Sequence, residues 1–291
     1  MNKKCMGLLM AAVLLSISTQ ASEQDESKVV SNIIPSSSSS SSTPPRNEEK
    51  PEYSFDIEKK TVTISEAENF NWVSAYRCRQ YLKQNGVEVT GTKVTGVDRL
   101  IIRKSKNVFL SMTWSGVEKI IIDNASTVNE DSVKNIVTNK NSKVEVLMWD
   151  SAKRTCSRVS RSPSMIEAHL GQVNQIDCEL SFCPNLEKVY IGTKALTDAK
   201  LTIDTYSLCR CPKLRELTIA IPVQSLSGQT FIDTDTTKVT LYLCAEEYAK
   251  TVGKITGKSF PEDERGFPEW RFLPWKEIKL YTPCDNTMSP T

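Results

Sequence analysis

Histidine is nearly missing from this chain: His169 is the one example in 291 residues. A zinc site built from clustered imidazoles is thereby excluded, and a Ser/His/Asp triad would have to use that single residue. Glu167 stands two places before it, but a lone His/Glu pair of this kind is expected on a solvated loop. No catalytic residue is assigned from it. Glycine is sparse as well, at 11 residues. Charge of one sign is lacking: 37 basic residues face 35 acidic ones, and two of the basic residues, Lys3 and Lys4, lie in a segment read below as removed. A chain this close to neutral lacks the concentrated positive field of a nucleic-acid binder or of a polybasic membrane-surface protein.

Long hydrophobic runs are the fourth shortage. Met6 to Ile17 is the one apolar stretch of note, and it is shorter than the roughly 20 residues needed to span hydrocarbon. Lys3 and Lys4 precede it, and Thr19-Gln20-Ala21 closes it with small residues flanking a variable one. This is the pattern of a signal peptide cleaved near Ala21. The mature chain is therefore expected to be exported, secreted or held at the cell surface or in the periplasm, with no transmembrane segment. N-terminal sequencing of the secreted form should begin near Ser22.

Residues 22–52 read as a disordered linker. Seven consecutive serines, Ser36–Ser42, lead into Thr43-Pro44-Pro45 and a charged run. Such a composition buries too little apolar surface to offset chain entropy. Folded sequence begins near Tyr53. Within 53–96, Thr61–Ile64 has strand character, and Ser65 followed by Glu68 has the spacing of a capping box that opens a helix. Phe70, Val73, Tyr76, Arg77 and Tyr81 follow near helical period, and Gly86 suits the stop. This helix is expected to cap what comes next.

What comes next repeats itself. Cys183-Pro184-Asn185-Leu186-Glu187-Lys188-Val189-Tyr190-Ile191 returns as Cys211-Pro212-Lys213-Leu214-Arg215-Glu216-Leu217-Thr218-Ile219, 28 places on (183 to 211). Gly96–Ile102 returns as Gly116–Ile122, 20 places on (96 to 116). Both echoes reduce to apolar, two polar, apolar, any, apolar. Self-similarity at this period marks a solenoid, whose units bury their apolar edges only against one another. The expected fold is a β-rich α/β solenoid over 97–284, its strands stacked in a parallel ladder about 4.8 Å per step. Inward positions are Val97, Leu100, Ile102, then Val117, Ile120, Ile122, then Val144 and Val146, and later Val189/Ile191, Leu217/Ile219 and Leu241/Leu243. Between 148 and 176 the pattern fades, leaving room for one irregular coil with Ile166, Leu170 and Ile176 inside. Ala245–Val252 reads as a short helix. Trp270, Phe272 and Trp275 read as an aromatic cap over the last coil, and 285–291 as a frayed tail.

At these residues the sequence resembles the BspA-like leucine-rich repeat proteins exported by anaerobic gut and oral bacteria. The segment 183–191 is similar to that family's core pattern C-x-x-L-x-x-[VI]-x-[IL]. Val239–Leu243, Tyr248-Ala249 and Trp270 to Ile278 resemble its closing segment. The turn that usually precedes the Cys appears here only as Ser181-Phe182 and Cys209-Arg210, and 253–269 is an unusually long insertion. The resemblance implies a curved solenoid used for binding or adhesion, with no shared catalytic residues to carry over.

The outward position between the two inward residues of each strand is the candidate binding stripe. It reads Ile101, Ile121, Glu145, Tyr190, Thr218, Tyr242, flanked by Arg99, Lys119, Lys188 and Glu216. Exposed aromatics on a rigid sheet stack on sugar rings or anchor a protein partner; the plainer explanation is that Ile, Tyr and Thr favour pleated surfaces anywhere. Cys183 and Cys211 occupy the same place in successive coils, as a disulfide or as stacked buried thiols. Nothing in the sequence calls for a cofactor or a metal. The expected function is an exported, non-enzymatic binding or adhesion module with a protein or glycan partner. The rivals are a polysaccharide-acting β-helix enzyme, whose turns are usually richer in Gly and Asn, and a structural surface component without a specific ligand.

Overall fold

The computed structural model describes residues 53–123, 126, 128–150, 159–176, 180–192, 200–252, 262–266 and 268–281. The signal segment, the linker and the 285–291 tail lie outside the described residues.

The chain is a β-rich solenoid. Among the described residues its spine is a ten-stranded sheet. Tyr53–Asp56 pairs antiparallel with Thr61–Ser65 at one edge. From there every pairing is parallel, through Arg99–Arg103, Lys119–Ile122, Val146–Trp149, Glu167–Leu170, Lys188–Ile191, Glu216–Ile219, Thr240–Leu243 and Glu277–Leu280. The ladder thus takes in Thr61–Ser65, ahead of the expected boundary at residue 97. Shorter sheets line other sides of the coils: Gln175–Ile176, Leu201–Ile203 and Val223–Leu226 form one, and Glu88–Thr90, Lys93–Thr95 and Thr113–Ser115 another.

The interior is built by the repeated template. Val97/Leu100/Ile102, Val117/Ile120/Ile122, Val144/Leu147/Trp149, Met165/Ala168/Leu170, Leu186/Val189/Ile191 and Leu214/Leu217/Ile219 are all buried. Burying one such aliphatic side chain is worth about 1.5–3 kcal/mol relative to leaving it exposed. A single coil has nothing to bury it against, so stability accrues by stacking. Buried hydroxyls close the turns between strands. Ser207 Oγ donates to the Ile176 carbonyl (3.1 Å), and Thr234 Oγ1 donates to Leu208 O (2.7 Å) while accepting from Cys211 N–H (3.0 Å). Each satisfies a backbone group that the turn would otherwise strand.

Four sequence expectations are corrected here. The first helix is Trp72–Gln84, and its N-cap is Asn71, whose side chain accepts from Val73 and Ser74 N–H. Ser65 instead ends a strand. Past it the backbone stays tied to the next coil: Glu66 N–H donates to Arg103 O, and Lys106 N–H to Ala67 O. Those long-range bonds outcompete the local capping box. The helix buries Ala75, Cys78 and Leu82, whereas Tyr76 is exposed. In the third coil the residues stacked on Ile120 and Ile122 are Leu147 and Trp149, with Val146 outward, a shift of three residues from the expected Val144 and Val146. In the fourth, Met165 and Ala168 are inside and Ile166 is only half-buried. Near the C-terminus Trp270 and Trp275 are buried in contact with one another, their ring centroids 6.2 Å apart. Phe272 is 96% exposed, at the turn between the antiparallel strands Glu269–Trp270 and Leu273–Pro274. Ala245–Val252 is helical as expected.

Candidate functional site

In a strand, alternate side chains share a face, and in-register stacking lines them into rows. The central outward row runs Thr63, Ile101, Ile121, Met148, His169, Tyr190, Thr218, Tyr242, Lys279, each opposite the next. A second outward row runs Arg99, Lys119, Val146, Glu167, Lys188, Glu216. Of the expected stripe, Ile101, Ile121, Tyr190, Thr218 and Tyr242 therefore stand in one line. Lys188 and Glu216 flank it as an exposed ion pair with Nζ 3.7 Å from Oε1. Glu145 does not belong. It precedes its strand, and Met148, three places on, takes its position because an odd shift of register reverses the faces.

His169 is the main residue that sequence reasoning set aside. It lies on the ladder strand Glu167–Leu170, not on a loop, with its side chain 15% exposed. Its Nε2 is bonded to Glu167 Oε1. Its ring stacks on Tyr190 with centroids 5.5 Å apart and planes 22° apart. The Tyr190 hydroxyl is 2.6 Å from that of Tyr281, which follows the last ladder strand, and the two rings meet edge to face. Nδ1 of His169 is buried with no hydrogen-bond partner among the described residues. The template apolar-x-x-apolar-x-apolar, applied at Met165, Ala168 and Leu170, would have found His169. Nothing local could have found Tyr281, whose partner is 91 residues away.

The electrostatics diverge over a few residues. The bond from His169 holds the Glu167 carboxyl below its usual range, aided by the fields of Lys188 and Lys119. Burial raises Asp150 above the usual range, against the pull of His169, and Asp123 adds like-charge repulsion. Burial, reinforced by the Tyr281 hydroxyl, pushes the Tyr190 phenol up. Beside this cluster the ladder face opens into a hollow of about 330 Å³. Ile121 and Met148 line it together with Asp123, Asp150, Arg103 and Lys104.

Cys183 and Cys211 are free, buried thiols. Cys211 Sγ donates to Leu180 O at 3.0 Å, and burial pushes the two thiols up to about 11 and about 12 respectively. Among the described residues no group of three His, Cys, Asp or Glu side chains is placed to hold a metal ion. No helix among them is long and apolar enough to cross a membrane.

Comparison of the chain with family models, curated proteins and solved structures finds no match.

Proposed function

We propose that the chain is an exported, non-enzymatic binding module of the BspA-like leucine-rich repeat kind, which holds a protein or glycan partner against the outward face of its ladder. The strand and helix before residue 97 and the Trp270/Trp275 hairpin serve it as terminal caps. The observation that carries the reading is the central row. It brings an apolar end (Ile101, Ile121, Met148) and an aromatic end (His169, Tyr190, Tyr242) into one line on a rigid sheet. Half-buried aromatics held by neighbours lose little entropy on binding, which is why such side chains dominate binding energy. The test is a glycan and extracellular-matrix array probed with the tagged full chain. The double variant Tyr190→Ser, Tyr242→Ser should retain the far-UV circular dichroism of the parent and lose the array signal. Unchanged binding would move the site off the ladder.

One observation favours a second reading, in which the same face cleaves a polysaccharide. Asp150 and Glu167 lie on either side of His169, and their environments push their carboxyls in opposite directions, as an acid and a base require. Released product from a polysaccharide panel, abolished by Glu167→Gln, would select that reading; retention without cleavage selects the module.

A further inference from the structure

A second recess lies away from the ladder face. It has a volume of about 640 Å³ and is lined by Lys134, Thr138, Ser160, Arg161, Ser181, Phe182 and Tyr206. None of these residues belongs to a ladder strand. They come from the end of the helix Glu130–Val137 and from the turns of three successive coils.

The turns are in register. Arg161 N–H donates to Ser181 O, Phe182 N–H to Cys209 O, and Arg210 N–H to Ile232 O. Arg161, Phe182 and Arg210 all adopt left-handed backbone angles, at φ 63°, 57° and 55°. The shared geometry aligns their side chains in one column. The guanidinium carbons of Arg161 and Arg210 sit 5.5 Å and 5.0 Å from the Phe182 ring centroid. Their charges are not used alike. Arg210 is paired with Asp233, Nε to Oδ2, at 3.0 Å. Arg161 has no carboxylate partner among the described residues, and neither does Lys134. The recess therefore presents two cations without a carboxylate partner among the described residues, and no carboxylate stands among its described lining residues. Lys134 also outweighs the partial negative charge of the helix end on which it sits. Tyr206 adds an aromatic ring, 43% exposed, and the Thr138 hydroxyl, which donates to Lys134 O at 2.9 Å, is left as an acceptor.

We infer that this recess binds an anionic carbohydrate, a pyranose carrying a carboxylate or sulfate. The anionic group would lie between Lys134 and Arg161, with the sugar ring against Tyr206. The planar guanidinium, oriented by Phe182, suits the two oxygens of a carboxylate or sulfate. A ring face is the usual platform for the C–H face of a sugar, and the volume lies within the range of small-ligand sites. An acidic peptide fits less well. Extended peptides are held through free main-chain donors and acceptors at a sheet edge, and the N–H groups of Arg161, Phe182 and Tyr206 are already spent on Ser181, Cys209 and Gln229 carbonyls.

The test is calorimetric titration of the full chain with trigalacturonate, a sulfated tetrasaccharide, a neutral trisaccharide and a hexaglutamate peptide. At least one anionic saccharide should bind, more weakly as salt rises, while the neutral sugar and the peptide bind at least ten-fold more weakly. Lys134→Gln and Arg161→Ala should each cost ten-fold or more, and Arg161→Lys should recover only part of the loss. Tyr206→Ala should weaken the saccharide and leave the salt dependence unchanged. Tyr190→Ser, Tyr242→Ser should have no effect, which separates this site from the ladder face. Equal binding of the peptide, equal binding of the neutral sugar, no saccharide binding at all, or indifference to Lys134→Gln and Arg161→Ala in variants of parental melting temperature would each overturn the assignment.

Discussion

Replacing Gly171 by alanine tests the stacked-coil account at one atom. Gly171 follows the strand Glu167–Leu170, and its N–H donates to Trp149 O at 3.0 Å. A Cβ at this position would meet the backbone of the neighbouring coil, 2.6 Å from Asp150 Cα and 2.8 Å from its carbonyl carbon. No side chain can swing away to make room, so two rungs must separate. Overpacking of that kind costs about 1–3 kcal/mol. Against it stands the loss of glycine's freedom in the unfolded chain, which favours alanine by about 0.4–1 kcal/mol. The expected net loss is about 1–2 kcal/mol, which for a folded unit of this size lowers Tm by about 2–8 °C. Gly228 supplies the control. An added Cβ there meets nothing within 4 Å, and its φ lies outside the left-handed range. Gly228→Ala should therefore be neutral or gain up to about 1 kcal/mol. The assay is urea unfolding followed by circular dichroism, in which Gly171→Ala should lower the midpoint with little change in slope. Equal stability of the two variants would refute the close approach of the rungs and the register derived from it.

Asp150 and Glu167 should respond to pH with opposite signs. Asp150 has a raised carboxyl, so its ionisation opposes folding as pH rises from its unfolded value through its folded one; Asp150→Asn should raise Tm at pH 7 and have little effect near pH 3. Glu167 has a lowered carboxyl, whose contribution is present above its unfolded value and lost as pH falls through its folded one. Glu167→Gln should accordingly lower Tm at pH 7, and the difference should shrink on acidification. Tyr281→Phe removes the 2.6 Å hydroxyl contact with Tyr190 and should cost about 0.5–1.5 kcal/mol in urea unfolding; no change would deny that contact a role. Cys183 and Cys211 should resist iodoacetamide at pH 8 in the folded protein and react in denaturant without reductant, as peptide mapping would show, because burial keeps both thiols protonated.

The solenoid was legible in the sequence because its physics is local and repeated. Each coil must place apolar residues at the same three positions, and the echoes at 96/116 and 183/211 expose that rule. The phase was lost where apolar residues crowd. Val144, Val146, Leu147, Met148 and Trp149 satisfy more than one register by hydropathy alone, and only stacking on Ile120 and Ile122 selects Leu147 and Trp149 for the interior. Ala168 hid the next coil, since a small residue gives little periodic signal, and with that coil went His169. The Ser65–Glu68 capping box was a sound local signal defeated by the bonds that Glu66 N–H gives to Arg103 O and that Ala67 O accepts from Lys106 N–H. Five members of the outward row could be named in advance because they fall between recognised inward residues. Tyr281, Asp150 and the Lys134/Arg161 recess depend on which turns end up adjacent, and that is set by coil lengths the sequence varies freely.

The pairing of the Tyr190 and Tyr281 hydroxyls gives the ladder a clasp. Glu216–Ile219 and Thr240–Leu243 lie between the strand that carries Tyr190 and the one that Tyr281 follows. In a simple stack the last rung peels first and alone. Here, releasing the last rung also frees an aromatic ring at the ladder's middle, so trimming the chain short of residue 281 would be felt three strands inward.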